Sequence, residues 1–282
     1  MPLLGRRETR DLLQRHGLRP RTSLGQHFLV DPNTLRKIVR VAHVSPGELI
    51  VEVGAGVGAL TVALASAGAS VIAIEQDRGL APALTETVED LAGVEVVWGD
   101  ALSLDYDRVL GGRDARVVSN LPYQIATPLV LSLLADVPSI SELVVMVQQE
   151  VGERLVAGPG TDAYGAVSAK VAYLAEASVA FKVSRAVFLP EPEVESVVVR
   201  LHRRASPSVE GDRRRIFAII DAGFATRRKT IRNALRGAGL SSSAVESGLG
   251  RAGIDGSLRA ERLGLTEFAA IARVLDVPEV RR

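Results

Sequence analysis

The 282-residue chain contains no cysteine, which excludes disulfides, thiolate metal ligands and a cysteine nucleophile. Its four histidines are not spaced as metal ligands, so no metal is expected. No apolar run is long enough to span a bilayer, and the first residues lack the apolar core of a secretion signal. The expectation is a cytoplasmic, monomeric protein without a membrane partner. What the chain does have is apolar mass. Hydrophobic residues make up 47% of it, enough to build one large domain and a small one.

A net charge of +1 hides a segregation. Residues 1–40 carry nine basic against three acidic side chains, 41–199 carry eight against twenty-one, and 200–236 carry eleven against three. Two basic segments thus flank an acidic body. Such segments are either solvated helix faces or a divided footprint for a polyanion, and the local clustering favours the footprint. Arg228, Arg232 and Arg236 recur every four residues, which puts them on one face of a helix, and Arg227 and Lys229 widen that face at its start. Arg6, Arg7, Arg10, Arg15, Arg19 and Arg21 form the second basic region.

Through the acidic body, strand-like runs alternate with helical patterns. Asp31 before Pro32 reads as an N-cap with proline at the first helical position, opening a helix over 33–42. Strands are expected at 49–53, 71–75, 94–98, 115–118 and 143–148, with helices between them. That alternation argues for a parallel α/β sheet covered on both faces. Two further strands, 175–183 and 194–201, lack a long helix between them and suggest an antiparallel edge. Residues 203–212, with Ser206, Pro207, Ser208 and Gly211, read as a linker, and only helical patterns follow. The expected domains are therefore 1–205 and a small all-α domain, 206–282.

The chemistry gathers at the strand ends. Gly54 and Gly56 form a turn after the first sheet strand and open a helix. Ligands bind at that edge of an open α/β sheet, and glycine lets the backbone approach them closely. With Ala59 the same glycines also fit a loose G-x-G-x-x-A dinucleotide fingerprint. Glu75 ends the next strand, where a carboxylate can accept both ribose hydroxyls of an adenosine-containing cofactor. Asp100 ends the third, where it can accept from an adenine amino group. The fourth runs into Asn120-Leu121-Pro122-Tyr123. Pro122 holds its own φ at about −65° and biases Leu121 to an extended conformation. The stiffened backbone can aim the Asn120 side chain and the Leu121 carbonyl at one target, while Tyr123 offers a flat face. An exocyclic amine on a nucleobase meets both demands. The plainer alternative is a proline turn capping a strand, with a core tyrosine. S-adenosylmethionine suits the four strand ends better than a nicotinamide cofactor. It has no pyrophosphate that needs a helix N-terminus, and its sulfonium is tolerated near carboxylates.

From Gly25 to about Phe268 the sequence resembles the KsgA/RsmA family of small-subunit (16S) ribosomal RNA adenine N6,N6-dimethyltransferases. The resemblance is carried by Gly25-Gln26-His27-Phe28-Leu29, the glycine turn, Gly99-Asp100-Ala101 and Asn120-Leu121-Pro122-Tyr123. It continues through Ala163-Tyr164-Gly165, Phe188-Leu189-Pro190 and Arg227-Arg228-Lys229-Thr230-Ile231-Arg232-Asn233. It implies a Rossmann-like class I methyltransferase sheet with a small C-terminal helical domain that binds RNA through Arg227, Arg228, Lys229 and Arg232. It also implies S-adenosylmethionine as cofactor and the small ribosomal subunit as partner. The product would be N6,N6-dimethyladenosine at two adjacent positions in a 3′-terminal hairpin. His27, Leu29, Gly54, Glu75, Asp100 and Asn120 match the family's cofactor-contact positions, with histidine where asparagine is frequent; a lone histidine there can equally be a backbone-contacting residue. Asn120, Leu121, Pro122 and Tyr123 match the catalytic motif, and Phe188 is the family's candidate for the second face of the extruded base. A large-subunit RNA methylase shares much of this set, and a non-catalytic ribosome-assembly factor could retain the fold.

Overall fold

The computed structural model describes residues 3–22, 25–226 and 228–277. The chain divides into two units, Met1–Gly152 with Ala177–Arg203, and Glu153–Glu176 with Arg204–Arg282. The boundary expected at 205/206 is therefore corrected. The last stretch does leave the sheet unit there, but residues 153–176 belong with the C-terminal helices.

The first unit opens with α1 (Arg6–Arg15), the short β1 (Phe28–Leu29) and α2 (Pro32–Val41). α2 starts where expected because the Asp31 carboxylate accepts the Thr34 N–H at 2.8 Å, with Pro32 in the first turn. Then the alternation runs β2 (Leu49–Val53), α3 (Ala59–Ser66), β3 (Ser70–Glu75), α4 (Ala81–Val88), β4 (Val94–Trp98), α5 (Tyr106–Leu110), β5 (Ala115–Asn120), α6 (Ala126–Asp136) and β6 (Ile140–Gln148). β2 and β3 are buried on successive residues, apolar except for Glu52, Ser70 and Glu75, as interior parallel strands covered on both faces are. After α7 (Gln149–Val156) and α8 (Ala166–Leu174) come β7 (Ala175–Val183), β8 (Phe188–Leu189) and β9 (Ser196–Arg203).

The seven-stranded sheet has the order β4-β3-β2-β5-β6-β9-β7. β9 runs antiparallel to β6, with Val145 opposite Val199, so the expected antiparallel edge is present. The chain moves outward from β2 to β4 and then returns to place β5 on the other side of β2. That reversal opens a crevice at the carboxyl ends of β2 and β5, the place where open α/β sheets take ligands. β1 and β8 form a separate antiparallel pair, Phe28 opposite Leu189 and Leu29 opposite Phe188. Neither strand was legible in the sequence, since two residues carry no periodicity. Inside the sheet, Glu142 is buried but shared by Arg116 of β5 and Arg200 of β9, so its charge is compensated.

The second unit is helical: α8 is joined by α9 (Arg213–Phe224), α10 (Ile231–Gly237), α11 (Ser242–Ala252) and α12 (Leu265–Val274). Its core includes Tyr164, Tyr173, Ile216, Ile220, Leu235 and Phe268. Lys170 of α8 pairs with Asp221 of α9 at 2.7 Å, and the Tyr164 hydroxyl donates to the Leu263 carbonyl at 3.0 Å. These contacts explain why 153–176 leaves the sheet unit: the apolar side chains of α8 are completed by helices that come later in the chain.

Candidate functional site

At the carboxyl ends of β2 to β5 lies a cleft of about 330 Å³, lined by Gly54, Gly56, Glu75, Gly99, Asn120 and Tyr123 among others. The volume is that of a small-molecule site. Gly54 and Gly56 have φ of 76° and 60°, a region that disfavours side chains. Space is tight as well. A Cβ on Gly54 would lie 3.0 Å from the Pro122 ring, and one on Gly56 would lie 3.1 Å from the Phe28 ring. The glycine turn is thus packed directly against the Asn-Leu-Pro-Tyr segment and against β1, so the motifs form one site.

Glu75 is buried, and its carboxylate is clamped by the main chain. Oε2 accepts the Gly56 N–H at 2.8 Å, and Oε1 accepts those of Gln76 and Asp77 at 2.9 and 2.8 Å. Of the roughly four acceptor positions on a carboxylate, three are taken, and the open one is on Oε2. The sequence expectation was a carboxylate that accepts both ribose hydroxyls; these three main-chain bonds leave it one open acceptor position. Asp100 is turned toward its own loop, where it accepts the Leu102 N–H at 3.0 Å and the Ser103 hydroxyl at 3.4 Å. Its neighbours Gly99 and Ala101 line the cleft.

Asn120 ends β5 at the rim. Its Nδ2 donates to the His27 carbonyl at 3.3 Å, which fixes the amide and leaves Oδ1 as the acceptor. The Leu121 N–H donates to Met146, while its own carbonyl accepts no hydrogen bond among the described residues. Tyr123 is half-buried, and its hydroxyl meets the Ser196 hydroxyl at 3.1 Å. Burial raises its pKa and the Ser196 contact opposes the rise, so the phenol stays protonated in the physiological range. The His27 ring lies nearly parallel to Tyr123, with centroids 5.7 Å apart and planes at 25°. Its Nδ1 lies 2.8 Å from the Pro190 carbonyl, and a carbonyl only accepts, so Nδ1 carries a hydrogen. His27 is therefore both a backbone-contacting residue and part of the cleft wall. Leu29 is buried on β1 and contributes an apolar wall.

Phe188 is not brought to the cleft. Its side chain is 0% exposed, packed in the core under the β1–β8 pair, so its expected stacking role is corrected. The expected basic helix face is corrected as well. Arg227 lies outside the described residues. Arg228 and Lys229 are exposed but sit in a turn, because Thr230 caps the helix and α10 begins only at Ile231. Arg232 and Arg236 do share a face of α10, and both pair with Glu246 of α11, at 2.8 and 2.9 Å.

Two groups at the cleft escaped the sequence reading. Glu52 is fully buried on β2 and lines the cleft floor, with Oε2 accepting the Thr61 hydroxyl at 2.5 Å. Burial pushes its pKa up to about 8; the Thr61 hydrogen bond opposes this and the Glu75 carboxylate adds to it. An acid two residues before a glycine turn was a visible signal. Gln26 and Asp77 hydrogen-bond at 2.7 Å and line the same cleft; they lie 51 positions apart, and nothing in the sequence pairs them.

The cleft fits an adenosine-containing cofactor. One face is a glycine turn whose positive φ and close neighbours disfavour a side chain, one corner is a clamped carboxylate with a free acceptor position, and the walls are largely apolar. Comparison with known proteins agrees. Residues 17–276 match the family model described as "Ribosomal RNA adenine dimethylase". The chain is 48% identical over 275 residues to a Moorella thermoacetica protein called "Ribosomal RNA small subunit methyltransferase A", covering 94% of this chain and 96% of that one. Among solved structures it is similar to the 23S rRNA methyltransferase ErmE, with a TM-score of 0.67 and 27% identity over 88% of this chain and 99% of that one. A Plasmodium falciparum dimethyladenosine transferase shares the fold, with a TM-score of 0.71 at 23% identity over 87% of this chain and 96% of that one.

Proposed function

The chain belongs to the ribosomal RNA adenine dimethylase family, and from that we propose its reaction: two methyl transfers to N6 of each of two adjacent adenosines in a 3′-terminal hairpin of small-subunit (16S) ribosomal RNA, during maturation of the subunit. The protein is an S-adenosylmethionine-dependent methyltransferase. That cofactor supplies an electrophilic methyl carbon. We place the enzyme in the cytoplasm, acting as a monomer on the small ribosomal subunit. Among the described residues no helix is long and apolar enough to cross a membrane.

The observation that carries the reading is a pair of main-chain-fixed acceptors at the cleft rim. Asn120 Oδ1 is oriented by the bond of its amide to the His27 carbonyl, and beside it the Leu121 carbonyl is left without a partner among the described residues. The adenine amino group has two N–H donors to match them. Its lone pair is conjugated into the ring and nucleophilically weak. Holding both hydrogens favours a pyramidal nitrogen and directs the lone pair at the methyl carbon. The proton need not leave before attack, so no strong base is needed at this position. Positioning of this kind contributes up to about 7–11 kcal/mol in the best cases. Tyr123 offers a face on which the extruded base stacks, worth about 1–3 kcal/mol, comparable with the few kcal/mol that unstacking costs. After the first transfer only one N–H remains, so one of the two acceptors is disengaged during the second.

Identity separates this from the large-subunit reading: 48% with the small-subunit methyltransferase against 27% with the 23S enzyme. The deciding experiment is transfer of labelled methyl groups to unmethylated small subunits, with the modified base mapped. Label on N6 of two adjacent adenosines is expected. Label on large-subunit RNA would move the protein to the other branch, and cofactor binding without turnover would make it an assembly factor.

A further inference from the structure

The N-terminal basic region does not act as one surface. Of its six arginines, four are engaged within the protein. Arg6 donates to the carbonyls of Ala186 and Phe188 at 2.6 and 3.0 Å, Arg7 lies 3.7 Å from Asp11, Arg15 pairs with Glu86, and Arg21 lies 3.4 Å from Asp77. Arg10 and Arg19 are exposed and have no hydrogen-bond or carboxylate partner among the described residues. These two line the same cleft, about 450 Å³ in volume, whose apolar wall is Leu13, Leu18, Pro20 and Leu189.

Two guanidinium groups that face one concavity without a counter-charge make a site that an anion completes. A phosphate alone has no use for the leucine and proline wall, and an apolar ligand has none for the arginines. A nucleotide has both parts, a charged phosphate and a flat base that prefers an apolar surface once unstacked. Leu189 also says where in the substrate the nucleotide lies. It stands between Phe188 and Pro190, and the Pro190 carbonyl holds the His27 ring that lies parallel to Tyr123. The cleft and the amino-acceptor site are therefore linked through Leu189, Pro190 and the His27 ring.

We infer that this cleft binds an unstacked nucleotide of the ribosomal RNA, a near neighbour in the strand of the target adenosine. Arg10 and Arg19 hold its phosphate, and Leu18, Pro20 and Leu189 receive its base. The inference rests on the reading that ribosomal RNA is the substrate. It makes the cleft a positioning site that sets which adenosine enters the catalytic cleft.

The test is steady-state methylation of unmethylated small subunits by the full chain, comparing wild type, Arg10→Ala, Arg19→Ala, the double variant and Arg7→Ala. All three arginines are exposed, so the fold is preserved. The double variant is expected to raise the KM for subunits about tenfold or more with kcat within about threefold. It should also lower the salt slope of subunit binding by about 0.7–0.9, since the two arginines meet one phosphate. S-adenosylmethionine affinity stays unchanged, and Arg7→Ala stays within twofold of wild type. A photoreactive side chain at position 18 is expected to crosslink within a few nucleotides of the methylated adenosines. Wild-type KM and salt slope in the double variant overturn the inference, as does crosslinking only to distant RNA. Arginine-dependent saturation of the cleft by adenosine monophosphate, with subunit binding unchanged, overturns it too, since it makes the cleft a small-molecule site. Wild-type protein that transfers no label to subunits fails the functional reading itself. Label transfer by wild type with variants that match it fails this inference alone.

Discussion

The strand-end cleft and the basic segments follow opposite rules. At the strand ends of the cleft, Glu75 and Asn120 are short and their partners are main-chain groups. Glu75 is held by three N–H groups, Asn120 by the His27 carbonyl, and the glycines by a lack of space. Their positions follow from the strands that carry them. In the basic segments the side chains are long, and several find an acid or carbonyl within reach. Arg232 and Arg236 find Glu246, Arg15 finds Glu86, and Arg6 finds two carbonyls. A row of positive charge in sequence thus overstates the charge left for a polyanion, while a row of strand ends understates how firmly a site is built.

The comparison breaks most sharply at Asn120. Asn120→Ala removes a fixed acceptor aimed at the reacting nitrogen and should cut single-turnover methyl transfer on the order of 10²–10³-fold, as loss of one preorganised hydrogen-bonding group does elsewhere. RNA affinity should change little. Rates within twofold of wild type would remove Asn120 from the mechanism.

Glu75→Ala should come next. Losing a hydrogen bond to a charged group costs about 1.5–3 kcal/mol, and here the loop of Gly56, Gln76 and Asp77 also loses its anchor. Calorimetry should show S-adenosylmethionine affinity weakened by roughly ten- to a hundredfold, and unchanged affinity would show that the clamp serves the fold alone.

Glu52 sharpens the same point through pH. In the unfolded chain its carboxyl ionises from about 4.5, while in the folded chain burial delays this to about 8. Between those values the folded state holds the extra proton, so stability from this group falls as pH rises through the window. Glu52→Gln keeps an acceptor for Thr61 and cannot ionise. Melting temperatures across that window should fall less steeply in the variant than in wild type, and parallel curves would show that Glu52 does not titrate there.

The smallest effects belong to the basic segment after α9. Arg228 and Lys229 are exposed and have no partner among the described residues, so each should contribute about 0.7–0.9 to the salt slope of subunit binding if it meets a phosphate. Arg232→Ala should do less, because it first breaks a pair with Glu246. Exposed pairs of this kind are worth only about 0.2–1 kcal/mol. Binding isotherms at several salt concentrations rank the three. A larger effect at Arg232 than at Arg228 would mean that Glu246 yields its partner to RNA.

Much of this was legible before the fold. The Asp31 cap, the strands from Leu49 to Gln148, the antiparallel edge and the strand-end set of Gly54, Glu75 and Asn120 depend on local chemistry and period, and those survive in any context. Arg228 was misplaced because a four-residue spacing was carried back across the Thr230 cap, where the helix stops. Phe188 was misplaced because a motif names a residue but not the face it presents.

By itself, then, the sequence determined the alternation of strands and helices and the cleft-lining Gly54, Glu75 and Asn120 at the strand ends, since each is a property of neighbours along the chain. Only the tertiary structure decided that 153–176 completes the helical unit, that Glu75 keeps a single open acceptor position, and that Arg10 and Arg19 are left open while four other arginines are engaged. Those outcomes depend on which groups from distant parts of the chain meet first, and long side chains with several reachable partners settle that only in three dimensions.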